Sequence, residues 1–234
     1  MDHVASINGK KIAYSDVGSG HAIVFLHGWG NSKEIYSGLI EILESKFRCI
    51  SIDLPGFGKS DVVPDLTLVK ITRILNKVMK KIGLQKINLV GHSLGGAVTL
   101  VYASRYQEEI NKVVLISPFV TFRQFSKFIF YLIRHLIPFL ITKLLALKNP
   151  NMRAVNAISI VYYLSSIDLY KYLRKVRKDI LIIFGSKDGL LSMKPLEPIF
   201  GVLNNIHLSI YQDARHFIFS YNLRDLAEKI DLFL

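Results

Sequence analysis

The chain has only one cysteine among its 234 residues, so no disulfide bond can form within it. That residue, Cys49, lies in an apolar run that we predict to be a buried strand, and a small core side chain is a better interpretation of it than a nucleophile. The lack of disulfides fits a reducing compartment. The first residues, MDHVASINGKKIAYSDV, lack the basic start and apolar centre of a secretory signal, so we expect a cytoplasmic protein.

The sequence also lacks an uninterrupted apolar run long enough to span a membrane, which requires about 20 residues. The longest apolar stretch, residues 128–147, has four interruptions, at Arg134, His135, Pro138 and Lys143. Half of the residues are hydrophobic and no low-complexity tract is present. We therefore expect one large domain, or one domain with an insertion, around a sizeable core.

Acidic residues are scarce in one part of the chain. Residues 119–178 contain eleven Lys and Arg but a single acid, Asp168, and so carry +10 of the net charge of +12. The same segment is strongly apolar. This combination suggests an anionic partner and an apolar guest, whereas a solvated basic face that only aids solubility is the simpler alternative. No nucleic-acid recognition motif accompanies the charge, so we expect no nucleic-acid partner.

Eight runs with strand character alternate with helical patterns. The first two are joined by Asn8-Gly9, a signal for a type I′ hairpin. The predicted strands are 4–7, 10–16, 22–26, 48–52, 87–90, 112–116, 179–184 and 206–211. Amphipathic helices are predicted at 34–45, 66–82, 94–105, 194–203 and 222–233. The alternation predicts an α/β fold in which a mostly parallel eight-stranded sheet has helices on both faces.

Residues 119–178 break this alternation. Their pattern predicts three or four short helices, with Pro138 as one breaker. The segment leaves the carboxyl edge of the sheet, where the sites of such folds lie, so we expect it to cover the site as a helical lid. The predicted core is then formed by residues 1–118 and 179–234.

The stretch INLVGHSLGGAVTLVYASR, residues 87–105, contains Gly-x-Ser-x-Gly between a predicted strand and a predicted helix. That context is what the motif requires, because the sharp turn strains the backbone of Ser93 and directs its hydroxyl to solvent. The first N–H groups of the helix, notably that of Leu94, lie beside any negative charge that forms there. A structural Gly-rich turn with an idle serine is the alternative.

A serine nucleophile needs a base and a group that orients the base. The loops that should converge on the carboxyl edge are HGWG, DLPGFGKS, GHSLGG, GSKDG and DARHF. Of their histidines, His216 is the favoured base. His92 flanks the serine and should turn its side chain away, and His27 is better placed to brace the Gly-Trp-Gly turn.

Asp188 is the favoured orienting acid, 28 residues before His216. Asp213 is too close in sequence to reach the far ring nitrogen of His216 well, and Asp53 is better placed to fix the backbone of its own loop. The order Ser, Asp, His matches one class of triads. We expect the backbone N–H of Trp29 as a second oxyanion donor, with its indole in the pocket, although a core tryptophan is an alternative. We expect neither a metal ion nor a cofactor.

The five loops, in this order and spacing, resemble the α/β-hydrolase fold family across essentially the whole chain. The resemblance implies a serine hydrolase that acts through an acyl-enzyme at Ser93, Asp188 and His216, with Trp29 and Leu94 as the oxyanion hole. Dehalogenases and epoxide hydrolases of this fold have aspartate where this chain has serine, which disfavours those reactions.

Within that family the chain is similar to small microbial carboxylesterases that demethylate pimeloyl-acyl-carrier-protein methyl ester in biotin synthesis. The similarity lies in LHGWG, IDLPGFGKSD, GSKDGL and HFIFSYN. In those enzymes a basic helical lid receives the acidic carrier protein. The resemblance implies candidate carrier contacts at Arg123, Lys127, Arg134, Lys143 and Arg153.

The sequence therefore predicts a serine carboxylesterase with a small-molecule or carrier-bound acyl ester as substrate. One alternative is a lipase or monoacylglycerol hydrolase whose lid makes peripheral contact with an anionic membrane. Another is a non-catalytic binding protein on the same scaffold.

Overall fold

The computed structural model describes residues 2–125, 131, 135–137, 139–140, 152–164 and 167–234. Within these residues the chain forms an eight-stranded sheet in the spatial order β1-β2-β4-β3-β5-β6-β7-β8. The strands are β1 (Asp2–Ile7), β2 (Lys10–Val17), β3 (Ala22–Leu26), β4 (Arg48–Ile52), β5 (Ile87–His92), β6 (Ile110–Ile116), β7 (Ile180–Gly185) and β8 (Ile206–Tyr211).

The sheet is mostly parallel, as the sequence predicts. β2 pairs antiparallel with β1 and with β4, whereas the other neighbouring strands run parallel. The turn between β1 and β2 has positive φ at both Asn8 (50°) and Gly9 (75°), as a type I′ hairpin requires. The parallel strands all end at one edge of the sheet, and the loops after them meet there.

The central strands are buried because helices cover both faces of the sheet. Every residue of β3 is buried, and successive side chains alternate between two hydrophobic clusters. Val24 packs in one cluster, while Ile23 and Phe25 pack in the other. Burying a side chain of this size contributes about 1.5–3 kcal/mol. Cys49 of β4 is fully buried, and burial raises the pKa of its thiol to about 12, which agrees with a structural role.

Seven α-helices are described from their first to their last residue. They are α1 (Ser37–Leu43), α2 (Leu68–Lys81), α3 (Leu94–Arg105), α4 (Met152–Leu164), α5 (Tyr170–Leu173), α6 (Glu197–Phe200) and α7 (Leu223–Phe233). Helices α1 and α7 contribute to one cluster, and α2 and α3 to the other. None of these helices is long and apolar enough to cross a membrane.

Two predicted helices are shorter than expected. The helix predicted at 34–45 begins as a 3-10 turn, Lys33–Tyr36, before α1. The helix predicted at 194–203 is reduced to a 3-10 turn, Lys194–Leu196, followed by the single turn of α6. Pro195 and Pro198 lie in this region, and each lacks the N–H that a continuous helix would use.

The segment predicted as a lid is described only in part. Its last described portion packs into the body of the protein, because Leu169, Leu173 and Val176 are buried in the same cluster as α2 and α3. The N–H of Leu169 also donates to the carbonyl of Val120 at 2.8 Å. Residues 131, 135–137 and 139–140 of this segment are also helical, whereas the residues around them lie outside the described ranges. The division of the segment from the core stays a prediction.

Candidate active site

Ser93 occupies a strained turn between β5 and α3. Its backbone has φ +52° and ψ −112°, a conformation that costs a non-glycine residue about 1–3 kcal/mol. Neighbouring backbone holds the turn in place. The Ser93 N–H donates to the carbonyl of Ile116 at 3.0 Å, and the Ser93 carbonyl accepts from Ala97 and Phe119 at 3.1 Å each.

The start of α3 lies directly against the loop that follows β3. A Cβ added to Gly95 would lie 1.9 Å from the carbonyl oxygen of Leu26, so only glycine permits this approach. A Cβ added to Gly28 would lie 3.2 Å from the Cβ of Ser93. The HGWG loop and the serine turn are therefore in contact.

Two backbone N–H groups in these loops are available as donors. Leu94 is the first residue of α3, so its N–H has no acceptor within the helix. The N–H of Trp29 forms no hydrogen bond within the described part of the chain. Donors of this kind stabilise an oxyanion in acyl transfer.

Asp188 and His216 form a hydrogen-bonded pair. Asp188 follows β7, His216 follows β8, and Oδ2 of the carboxylate lies 2.8 Å from Nδ1 of the imidazole. The other carboxylate oxygen accepts the N–H groups of Leu190 and Leu191 at 2.9 Å each. Both side chains are largely buried, at 2% exposure for Asp188 and 9% for His216.

These partners hold the pKa of Asp188 below its usual value. Burial alone would raise that pKa, but the hydrogen bond and charge of His216 and the two backbone N–H groups outweigh it. Asp188 is therefore an ionised carboxylate that accepts a hydrogen bond from Nδ1–H of His216. This arrangement leaves the opposite ring nitrogen, Nε2, free to act as a base.

The alternative acids occupy other environments. Asp213 is exposed and pairs with Lys187 at 2.7 Å. Asp53 is fully buried, and its two oxygens accept the N–H groups of Lys33 at 2.7 Å and of Lys59 at 2.8 Å. Asp53 therefore fixes the loop after β4, the role that the sequence favours for it.

His27 uses both ring nitrogens to brace backbone. Its Nε2 accepts the N–H of Leu54 at 3.0 Å, so Nδ1 carries the hydrogen and donates to the carbonyl of Gly28 at 2.8 Å. Burial lowers the pKa of His27, against an opposing effect of the Gly28 carbonyl. A ring held in this way is structural, as expected for a residue that braces the Gly-Trp-Gly turn.

An apolar cavity of about 410 Å³ opens beside Ser93. Ser93 is the only polar side chain with a hydroxyl, carboxyl or amide group among the lining residues that the structure describes. The lining consists of Trp29, Ser93, Leu94, Phe119, Phe122, Phe125, Ile137, Leu140, Ile158, Val161, Leu164, Leu190 and Leu191. Such a cavity is within the size range of small-molecule sites.

Most of the residues that line this cavity are not among those predicted from the sequence, which are Trp29, Ser93 and Leu94. The signals for it are local: Phe119, Phe122 and Phe125 recur at every third position, and Leu190 and Leu191 follow Asp188 almost directly. These leucines link Asp188 to the cavity wall, because the same two residues donate their N–H groups to its carboxylate.

Trp29 is not a core residue. Its side chain lines the cavity and is 48% exposed. The indole Nε1 donates to the carbonyl of Ala157, in α4, at 2.8 Å. The loop that carries the candidate oxyanion donor is thus attached to a helix of the predicted lid.

Two of the five candidate lid cations lie within the described residues. Arg123 is exposed in a 3-10 turn, Phe122–Gln124. Arg153, in α4, donates from Nη1 to the carbonyl of Gly58 at 3.0 Å. The other candidates lie outside the described residues; they are Lys127, Arg134 and Lys143.

Residues 21–136 match the model of a protein family described as alpha/beta hydrolase fold. A 2-hydroxy-6-oxo-6-phenylhexa-2,4-dienoate hydrolase of Comamonas testosteroni is 35% identical over 114 residues. That alignment covers 46% of this chain and 40% of the relative, so it spans less than half of the relative's length. A pimeloyl-[acyl-carrier protein] methyl ester esterase of Wigglesworthia glossinidia brevipalpis is 28% identical, with 86% of this chain and 87% of the relative covered.

Among solved structures, an esterase from Exiguobacterium antarcticum is similar with a TM-score of 0.83. Its sequence is 21% identical, and the superposition covers 98% of this chain and 97% of that one. Sheet order, the strand-turn-helix at Ser93 and these similarities agree. The chain is therefore a protein of the alpha/beta hydrolase fold.

Proposed function

We propose that the chain is a serine carboxylesterase that hydrolyses its substrate through an acyl-enzyme. Ser93 is the nucleophile, His216 the base and Asp188 the acid that orients the base. The observation that carries the proposal is the 2.8 Å contact between Asp188 and His216 at the sheet edge where Ser93 lines an apolar cavity.

In the proposed reaction, Ser93 Oγ attacks the ester carbonyl while Nε2 of His216 takes its proton. The N–H groups of Leu94 and Trp29 stabilise the oxyanion that forms. The imidazolium of His216 then protonates the departing alcohol. A water molecule, activated by the same imidazole, hydrolyses the acyl-enzyme and releases the acid.

The cavity supports a plain hydrocarbon acyl group as the part of the substrate that is buried. Its described lining offers no cation and no free amide to pair with a second carboxylate or a hydroxyl. A polar substituent deep in the cavity would lose its hydration without compensation. An alkyl or aryl chain has no such cost.

Labelling with a fluorophosphonate tests the proposed chemistry directly. This probe phosphonylates activated serines, so we expect stoichiometric labelling of the native protein at Ser93, located by peptide mass spectrometry. Heat-denatured protein and the Ser93→Ala variant are the controls and should remain unlabelled. A native, folded protein that takes up no label would refute the proposal and favour a binding protein on this scaffold.

The finer proposal is that the ester is carrier-bound, with pimeloyl-acyl-carrier-protein methyl ester as the candidate. The similarity to an esterase with that name over most of the chain, and the charge of residues 119–178, support it. A carrier-bound substrate implies the cytoplasm, and the buried free thiol of Cys49 is compatible with that compartment.

Charge reversal at Arg123 tests this finer proposal. We expect Arg123→Glu to raise KM several-fold for the carrier-bound ester, and the wild-type KM to rise with salt, because screening weakens attraction between exposed charges. Lys86→Glu is the matched control, since Lys86 is exposed just before β5, at the opposite edge of the sheet. Equal effects of the two variants, or failure to rescue a biotin-requiring strain, would remove the carrier from the proposal.

A lipase-like function at a membrane is the second candidate. Three side chains that line the cavity, Trp29, Leu140 and Leu190, are also 40–48% exposed, so the cavity opens onto an apolar surface. Flotation with vesicles that contain anionic lipid distinguishes this candidate from the carrier-bound one.

A further inference from the structure

We propose that His92 is a positioning residue that holds the backbone of His216, and thereby the direction in which the base faces Ser93. The inference rests on the proposed function, because His216 needs this alignment only if it is the base. His92 immediately precedes Ser93 and is 1% exposed. It is absent from the described cavity lining, so it acts through another residue rather than on the substrate.

The contact that carries the proposal is a hydrogen bond from the His92 side chain to the His216 main chain. Nε2 of His92 lies 3.2 Å from the carbonyl oxygen of His216. Within the described part of the chain, that carbonyl has no other hydrogen-bond partner. The imidazole rings of His92 and His216 are in contact, with their centroids 4.9 Å apart and their planes tilted by 47°.

The ring of His92 is fixed by its surroundings. Its centroid lies 5.3 Å from that of Phe217 and 5.2 Å from that of Phe219, in an edge-on contact. On its other side, a Cβ added to Gly28 would lie 2.9 Å from Nδ1 of His92. A ring packed between the HGWG loop and the loop of the base has little freedom to rotate.

The hydrogen bond also determines the tautomer of His92. A carbonyl oxygen only accepts, so Nε2 carries the hydrogen and Nδ1 has a lone pair, which is buried without a partner. Burial, reinforced by the charge of His216, lowers the pKa of His92 to about 3, against the opposing effects of the hydrogen bond to the His216 carbonyl and of the charge of Asp188. His27 is the remaining ionisable group near it, and acts in the same direction as burial. His92 therefore stays neutral beside the position where the base becomes an imidazolium.

The orientation of the His216 ring is held by two contacts, one at its side chain and one at its main chain. The bond from Nδ1 to Asp188 fixes one atom of the His216 imidazole. Holding the carbonyl of the same residue fixes a second point, the peptide from which the side chain projects. A misplacement of about 1 Å at a reacting group costs up to about 100-fold in rate.

A pair of substitutions of equal length separates the hydrogen bond from packing. In His92→Gln the amide nitrogen reaches the position of Nε2 and can still donate, whereas His92→Met fills similar space without a donor. We expect kcat within about threefold of wild type for glutamine and about 10- to 100-fold lower for methionine, with KM nearly unchanged in both. The NMR signal of the His216 Nδ1 proton should persist in the glutamine variant and broaden by exchange in the methionine variant.

Equal kcat values for the two variants would overturn the proposal and leave His92 a packing residue. His92→Asn is a second variant if methionine prevents folding, because its amide reaches only the position of Nδ1 and should behave like methionine. Fluorophosphonate labelling of wild type distinguishes a failure of the proposed function from a failure of the proposed role of His92. If wild type takes up no label, the proposed function fails. If wild type is labelled but His92→Gln has no higher kcat than His92→Met, only the role of His92 fails.

Discussion

Replacing Ser93 by alanine is expected to abolish ester hydrolysis, with a fall in kcat of about a million-fold. The side chain loses the single atom that would form the acyl-enzyme. Alanine tolerates the positive φ at this position no worse than serine does, so the turn should persist. Turnover of a p-nitrophenyl ester measures the loss.

The unfolding temperature of Ser93→Ala, and its affinity for a fatty acid that fills the cavity, are the controls. Both should stay close to the wild-type values, because the cavity wall is otherwise intact. If Ser93 acts as one unit with the Asp188–His216 pair, adding Asp188→Asn to Ser93→Ala should cause almost no further loss. Turnover that survives in Ser93→Ala would dismiss the assignment of the nucleophile.

Asp188→Asn is expected to lower kcat by about ten-thousand-fold while the fold is retained. The structure gives a reason for the size of the effect. The N–H groups of Leu190 and Leu191 both point at one oxygen of residue 188, so an asparagine would place its amide oxygen there. Its NH₂ group would then face Nδ1 of His216 and donate to it. That contact forces the hydrogen onto Nε2, which can no longer take the proton of Ser93.

The matched control for this substitution is Asp213→Asn. Asp213 lies in the same loop as His216, but it is exposed and pairs with Lys187. An exposed pair contributes about 0–1 kcal/mol to stability, so kcat and the unfolding temperature should hardly change. A pH series of p-nitrophenyl ester turnover for both variants checks the comparison. If Asp213→Asn impaired turnover as strongly as Asp188→Asn, the acid would be wrongly assigned.

The sequence predicts the sheet well because the signal for it is strong and local. Strands such as β3 and β7 are continuous apolar runs, and such runs are buried when helices cover both faces of a sheet. Parallel pairing then brings the loops of Ser93, Asp188 and His216 to one edge without any knowledge of side-chain packing. The contact between Asp188 and His216 follows from that topology.

Other features depend on tertiary contacts that periodicity does not report. The hydrogen bond from Trp29 to Ala157 joins residues that are 128 positions apart. The contact of His92 with the His216 carbonyl spans 124 positions. A hydrophobic pattern identifies which face of an element is buried, but not which distant group it meets.

Trp29 is the only tryptophan in the chain, and its indole stands at the wall of the cavity in contact with α4. The tryptophan fluorescence of the protein, excited at wavelengths that tyrosine does not absorb, therefore originates at one position. Emission from an indole depends on the polarity of its surroundings and on its hydrogen bonding. The spectrum therefore reports whether the cavity is filled and whether the hydrogen bond from Trp29 to Ala157 of α4 is formed. The protein thus carries its own optical probe for ligand binding, and no added dye is needed to follow it.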